Sequence, residues 1–395
     1  MSSAIPNPLP ATYLRGGTSK GVFINHKHLP DDRNAWAPVF LSLMGSPDAA
    51  YGRQLNGMGG GVSSLSKVMV VGPPKTAEVE VDAEYTFAQI GVRDVVVDYT
   101  GNCGNLSSIA GVFAVDEGIC KPELVEDGGS YGPSSPFALA RVRLWNTNTR
   151  KRVDTTFPVS RNTLEPVLNL EETTVAGVSG SASRIVLEFV SPAGTSAPAG
   201  TLLPTTHASE RVKLSNGIEV TVTLMDCTNP TVLVDMEASP ALFQSARGEE
   251  LTALDVDLES NSELMSCLEQ IRQEGARLMG LDPSAQAQPK VAIISAPRRT
   301  GDRDEDADVY VRALSMGVPH KAVPMTLGLC VGVAGSTPGT IVARHIHTRD
   351  TGFVRIRHPG GLVEVGARFD SSGHVLAASV VRTGRRLMSG AVFWD

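Results

Sequence analysis

Apolar and polar positions along this chain repeat one theme. A strand, a polar bend and a second strand come first; later a strand feeds through a tight turn into an apolar helix. Residues 11–24 (ATYLRGGTSKGVFI) predict strand, glycine bend, strand. A helix is expected from Asp31 to Leu43, opened by Asp31 or Asp32. Lys67 opens the apolar strand Val68–Val71, and residues 78–97 alternate as two strands ending in the β-branched run Val95–Val97. Residues 101–105 (GNCGN) follow, and the small and apolar residues Leu106–Val115 predict a helix. Residues 138–159 read as a hairpin-like pair with Arg141, Arg143, Arg150 and Arg152 on its solvated face. Residues 177–207, rich in Gly, Ser, Ala and Pro with the strand Ile185–Val190 embedded in them, mark a domain change near their end.

The theme then recurs. Asn216-Gly217 is a hairpin turn, and Glu219–Met225, residues 226–230 (DCTNP) and Thr231–Val234 repeat strand, bend, strand. A helix over Asn261–Met279 and a strand over Lys290–Ser295 come next. A strand from Val309 to Met316 then runs through a turn into a helix over Met325–Ala334. Strands are expected at Thr340–Ile346, Phe353–Arg357 and Gly361–Phe369, with a final pair within Val380–Phe393. Two weakly similar halves explain the repetition, each bringing a helix N-terminus to a shared cleft.

At 395 residues the chain is long for one core, which also favours two domains. A formal charge of −7 disfavours nucleic acid as partner. No run of eighteen apolar residues suggests a membrane span, and the first residues lack the basic and apolar regions of a secretory signal. A cytoplasmic monomer or homodimer is expected. The five cysteines are odd in number and widely spaced, with no CxxC, so free thiols and no zinc are expected. P-loop and Rossmann spacings are absent, no strand-to-helix esterase elbow is expected, and the acidic run 301–308 lacks EF-hand spacing and reads as a solvated loop.

Candidate chemistry lies in the polar bends and the tight turn. Gly101 and Gly104 free the backbone around Cys103, which sits at a helix start capped by Asn105 or Ser107. Free N–H groups there stabilise a thiolate, lower its pKa, and cradle an anion. The plainer alternative makes Cys103 a small buried hydrophobe, against which the flanking Gly-Asn pairs argue. Arg15, Thr18, Ser19 and Lys20 form either a carboxylate clamp or a solvated hairpin tip. Gly59, Gly60 and Gly61 with Ser63, Ser64 and Ser66 resemble a backbone nest. Lys67 at the sheet rim is a carboxylate binder, a base if desolvated, or a rim lysine reaching for solvent. Thr228 and Asn229 are candidate substrate contacts.

These segments together resemble the 2-methylaconitate cis-trans isomerase (PrpF-like) family over nearly the whole chain. RGGTSKG (15–21), GGGVSSLSK (59–67), GNCGN (101–105), DCTNP (226–230) and HKAVP (320–324) stand in the family order. The resemblance implies an α/β (α+β), diaminopimelate-epimerase-like fold: two pseudo-symmetric domains, each a sheet wrapped around a central helix. The domains are expected at 1–207 plus 376–395 and at 208–375, with the site between them. It implies cofactor- and metal-free proton transfer on a small di- or tricarboxylate, most simply cis-aconitate to trans-aconitate, with 2-methylaconitate and 4-oxalomesaconate as alternatives. Cys103 and Lys67 would carry catalysis, and Arg15, Thr18 and Ser19 would bind carboxylate. Gly59, Gly60, Gly61, Ser64, Asn102, Gly104, Asn105, Asn229, His320, Lys321 and Thr326 complete the expected substrate contacts. An amino-acid racemase needs a second acid/base where this chain has Thr326, with Cys330 a turn inside the helix. A non-catalytic tricarboxylate-binding protein is the remaining rival.

Overall fold

A computed structural model describes residues 5–75, 80–99, 102–126, 131–194, 200–243, 251–285, 288–297, 307–315, 317–320, 322–346 and 353–395. The chain divides into two compact units, residues 1–188 with 381–395, and residues 189–380.

In the first unit, β1 (Leu9–Gly16) and β2 (Ser19–Asn25) form an antiparallel hairpin. Strand β3 (Lys67–Gly72) runs parallel to β2, and β4 (Ala83–Ile90) antiparallel to β3. The hairpin of Phe137–Asn146 and Lys151–Ser160 extends the sheet beyond β4, and Gly384–Val392 closes on β1. Helix α1 (Trp36–Met44) follows a 3-10 turn capped by the Asp32 side chain. It packs Trp36, Val39, Phe40 and Leu43 against Leu9, Val22, Val68 and Ala88. Helix α2 (Gly104–Asp116) packs against β1 to β4 and the 137–160 hairpin. Every residue from Leu106 to Ala114 is buried. Such a helix needs no polar stripe, and its small, apolar sequence has none. Covered on both faces, β3 is buried throughout.

The second unit repeats the arrangement. Strands Glu219–Cys227 and Asn229–Asp235 form the hairpin, Lys290–Ser295 runs parallel to the latter, and Val309–Ser315 runs antiparallel to that. Helix α3 (Ser262–Leu278), capped by Asn261, packs its apolar stripe on one face. Helix α4 (Met325–Gly335) is the central helix, buried from Leu327 to Ala334. The repeat reaches single residues. Val22 pairs with Val68, placing Lys67 beside Gly21, and Thr231 pairs with Lys290. Each position lies two residues beyond the first residue of the second hairpin strand. Each unit is therefore a sheet wrapped around a central helix, as the resemblance implies.

Three expected elements differ. The helix expected from Asp31 begins only at Trp36, after the 3-10 turn Arg33–Ala35. Thr340–Ile346 is not a strand but leads into helix α5 (Ile341–His345), because the Thr340 hydroxyl accepts the Ala343 N–H at 3.2 Å and caps it. The Val95–Val97 strand shrinks to Val97–Asp98, leaving Val95 and Val96 exposed. Most of the acidic run 301–308 lies outside the described residues. Among the described residues no helix is long and apolar enough to cross a membrane.

Candidate active site

Cys103 is the N-cap residue of α2, in extended conformation, and no side chain caps the helix start. Its carbonyl accepts the Ser107 N–H at 2.8 Å, so the helix begins directly after the thiol. The first N–H groups of α2 thus remain available to an anion. The sulfur is half-buried and lies 3.9 Å from Ser19 Oγ. The turn is held from beneath: Asn102 Oδ1 accepts from Ser107 Oγ at 2.9 Å and from the Tyr85 hydroxyl at 3.3 Å. Burial pushes the Tyr85 phenol well above its ordinary value, with the nearby Cys103 charge adding to the effect. Gly101 lies outside the described residues.

Asn105 ties the turn to the first hairpin. Its Nδ2 donates to Thr18 Oγ1 at 3.0 Å and to Ser19 Oγ at 3.5 Å. This approach needs glycines. A Cβ on Gly16 would fall 2.2 Å from the Asn105 carbonyl oxygen, and Gly17, at φ +48°, has Asn105 Oδ1 where its Cβ would be. The structure thus gathers Thr18, Ser19, Asn102, Cys103, Gly104 and Asn105 at one place.

It also places there a residue that sequence reasoning missed. Arg382 is buried, and its Nε donates to Asn105 Oδ1 at 3.1 Å. In the sequence Arg382 stands in the run VVRTGRR, where three arginines at a strand turn look like solvent-facing charges; two preceding valines are the one hint of burial.

Among the described residues no hydrogen bond or ion pair joins Arg15 to the thiol turn. Gly16 faces α2, so strand alternation turns Arg15 to the other face of β1. There its Nη1 donates to Gly17 O at 2.9 Å and to Thr383 O and Oγ1 at 3.0 and 3.1 Å. It lines a separate cavity of about 630 Å³ with Glu165, Asn169, Ser179 and Arg385. Its support of the Gly17 turn is structural on this geometry.

Lys67 is buried at the start of β3, beside Gly21, where a Cβ would fall 2.8 Å from both the Lys67 carbonyl oxygen and Leu106 Cδ1. Its amine hydrogen-bonds Gln89 Oε1 and lies 5.1 Å from the centre of the Phe87 ring. Gln89 Nε2 in turn donates to Ser66 O at 2.9 Å. The glycine triplet folds around Gln54: the Gly61 N–H donates to Gln54 Oε1 at 2.9 Å, while Gly59 packs on that amide and Gly60 on Leu65. The Gly61 amide is therefore already occupied. Ser64 is half-buried in the 3-10 turn that precedes Lys67.

In the second unit the hairpin turn carries Thr228 at φ +57°, an uncommon conformation for a β-branched residue. Its hydroxyl donates to Thr326 O at 2.7 Å. Thr326 Oγ1 accepts from Lys290 Nζ at 2.9 Å, and burial pulls the Lys290 amine below its ordinary range. Asn229 Oδ1 is buried with no partner among the described residues. His320 is exposed and its ring folds back on Ala322; Lys321 lies outside the described residues. Cys330 is fully buried, and burial pushes its thiol up to about 12.

The chain matches the family described as PrpF protein over residues 7–395. It is 34% identical to the putative isomerase YraM of Bacillus subtilis, covering 97% of this chain and 96% of that one. It is 31% identical to a 2-methyl-aconitate isomerase of Shewanella oneidensis, with the same coverage of each. A crystal structure of methylitaconate-delta-isomerase superposes with a TM-score of 0.82 at 31% identity, over 98% of this chain and 95% of that one.

Proposed function

We infer, since this chain belongs to the PrpF family, that it is an isomerase moving a proton on a small unsaturated tricarboxylate through an allylic carbanion. The reaction proposed is cis-aconitate to trans-aconitate, with 2-methylaconitate, named for the Shewanella relative, as the alternative substrate. The observation that carries the reading is the Cys103 sulfur, half-buried at the uncapped start of α2 and 3.9 Å from Ser19 Oγ.

In such a substrate the CH₂ protons lie next to both a carboxylate and the double bond. The Cys103 thiolate takes one: an S–H bond forms, the C–H bond breaks, and the electron pair spreads over the allylic carbons and carboxylate oxygens. The former double bond gains single-bond character and rotates, and the thiol returns the proton. The carbanion is held by donors fixed before it forms, here the first N–H groups of α2 with Ser19 and Asn105. One such donor is typically worth about 3 kcal/mol, or roughly a hundredfold in rate. Lys67 takes the charge-binding role, because its neighbours, an amide oxygen and a ring face, suit a cation. A racemase reading is less well supported: Thr326 offers no acid/base group at the start of α4, and Cys330 is sealed and pushed up to about 12.

The test is proton NMR in D₂O with cis-aconitate, 2-methylaconitate and 4-oxalomesaconate. Wild type is expected to exchange and isomerise at least one. Cys103→Ser and Lys67→Ala are each expected to lose most activity while folded. Wild-type rates in both variants would reject the assignment.

A further inference from the structure

Three arginines are buried among the described residues: Arg272, Arg312 and Arg382, at 3%, 7% and 9% exposure. A charge removed from water is tolerated only with a counter-charge or full hydrogen bonding. Arg272 makes a two-point pair with Glu269, and Arg312 pairs with Glu259 at 2.7 Å. Arg382 has no carboxylate partner among the described residues. Its Nε is spent on Asn105 Oδ1 at 3.1 Å and its Nη1 makes one bond, to Val381 O at 2.9 Å. Among the described residues Nη2 has no hydrogen-bond partner, so the outer end of the fork keeps donors to spare beyond the one Nη1 bond.

That end belongs to the thiol's own network. Arg382 bonds Asn105, Asn105 bonds Ser19, and Ser19 Oγ lies 3.9 Å from Cys103 Sγ. The uncapped start of α2 contributes further donors to the same place. We propose that Arg382 is the carboxylate anchor of this site, gripping one carboxylate of the substrate end-on beside the Cys103 sulfur. Burial pulls the guanidinium down to about 10, and the Cys103 charge opposes that shift, as expected of groups that sense each other. The assignment replaces Arg15, whose guanidinium serves the Gly17 turn on the opposite face of β1. A planar fork suits a carboxylate better than an ammonium would. The inference rests on the isomerase reading for the identity of its ligand and on geometry for the anion site itself.

The test is alkylation of Cys103, in which the sulfur displaces iodide and forms a C–S bond, followed on the Cys103 peptide by mass spectrometry. Iodoacetate carries a carboxylate and iodoacetamide does not. Relative to a free thiol such as glutathione, wild type is expected to favour iodoacetate, and tricarballylate, a saturated tricarboxylate, is expected to protect the thiol. Arg382→Met should lower the iodoacetate-to-iodoacetamide ratio at least about tenfold, the loss of one charge-assisted bond pair, and abolish the protection. Arg382→Lys should keep part of both and raise KM more than it lowers kcat. If Arg382 serves only to neutralise the thiolate, both reagents slow together, the ratio holds, and the proposal is overturned. Should Arg382→Met fail to fold, wild type decides: no iodoacetate preference and no tricarballylate protection overturns it equally. Absence of turnover with every unsaturated carboxylate, alongside intact labelling preference, would reject the isomerase reading and leave the anion site standing.

Discussion

At the scale of single residues the candidate site is made by what is missing as much as by what is present. Asn105 links Thr18, Ser19 and Arg382 because Gly16 and Gly17 leave room for its carbonyl and side chain. A methyl group on Gly16 would sit 2.2 Å from the Asn105 carbonyl oxygen, and a backbone atom cannot rotate away as a flexible side chain can. Gly16→Ala is therefore expected to push α2 from β1, costing about 1–3 kcal/mol as overpacking does, and to slow turnover more than Gly390→Ala. Gly390 has nothing within 4 Å of a new Cβ and serves as the control. Urea midpoints and initial rates measure both; equal stability in the two variants would contradict the close approach. The same reasoning explains what sequence could not reveal. The glycine bend and the thiol turn are visible as motifs, but their junction through Asn105 depends on residues nearly ninety positions apart. Arg382 lies much farther away in the chain still.

At the scale of elements, legibility followed the strength of the local signal. The predicted helices over Asn261–Met279 and Met325–Ala334 lie within a residue of α3 and α4, because one has a clean apolar stripe and the other is apolar on every side. The strand expected at Thr340–Ile346 failed because a single capping hydroxyl outweighed β-branched propensity in a short run. The glycine triplet was legible as a nest but not its occupant: the Gln54 amide fills it, and Gln54 is itself fixed by Asp48. The Asp48 carboxylate accepts N–H groups from Tyr51, Arg53 and Gln54, and these bonds, that of Arg53 first, hold its pKa at about 2. A depressed carboxylate stabilises the fold above its unfolded value of 3.8, and the contribution is lost as the pH falls through about 2. Asp48→Ala is expected to loosen residues 48–61 together. Hydrogen exchange at Gly61 should quicken at pH 7 while exchange in α2 stays unchanged; equal protection at Gly61 would show that the loop stands without its carboxylate.

At the scale of the whole molecule the displaced pKa values close a pH window from both sides. Burial lowers His26 and His28 from 6.5, so protonation favours the unfolded chain, and stability is lost as the pH falls below that value. Hydrogen bonding to Arg272 depresses Glu269, and backbone N–H groups chiefly depress Asp48 and Asp370, so a further loss sets in below about pH 4. On the alkaline side burial raises Cys120 and Cys330 to about 12, and raises Cys227 and Tyr85 as well. These groups stay neutral in the fold; their contribution is full below the unfolded thiol value of 9.0 and is lost as the pH rises from there towards about 12. Thermal midpoints should accordingly form a plateau between roughly pH 7 and 9 and fall on either side. A midpoint still climbing from pH 9 to 11 would mean that the buried thiols and Tyr85 ionise without cost. Within the plateau the half-buried thiols Cys103 and Cys120 should separate by reactivity. Cys120, held neutral by burial, should lag Cys103 in alkylation of the native protein, and the order should vanish in denaturant, where burial no longer distinguishes them.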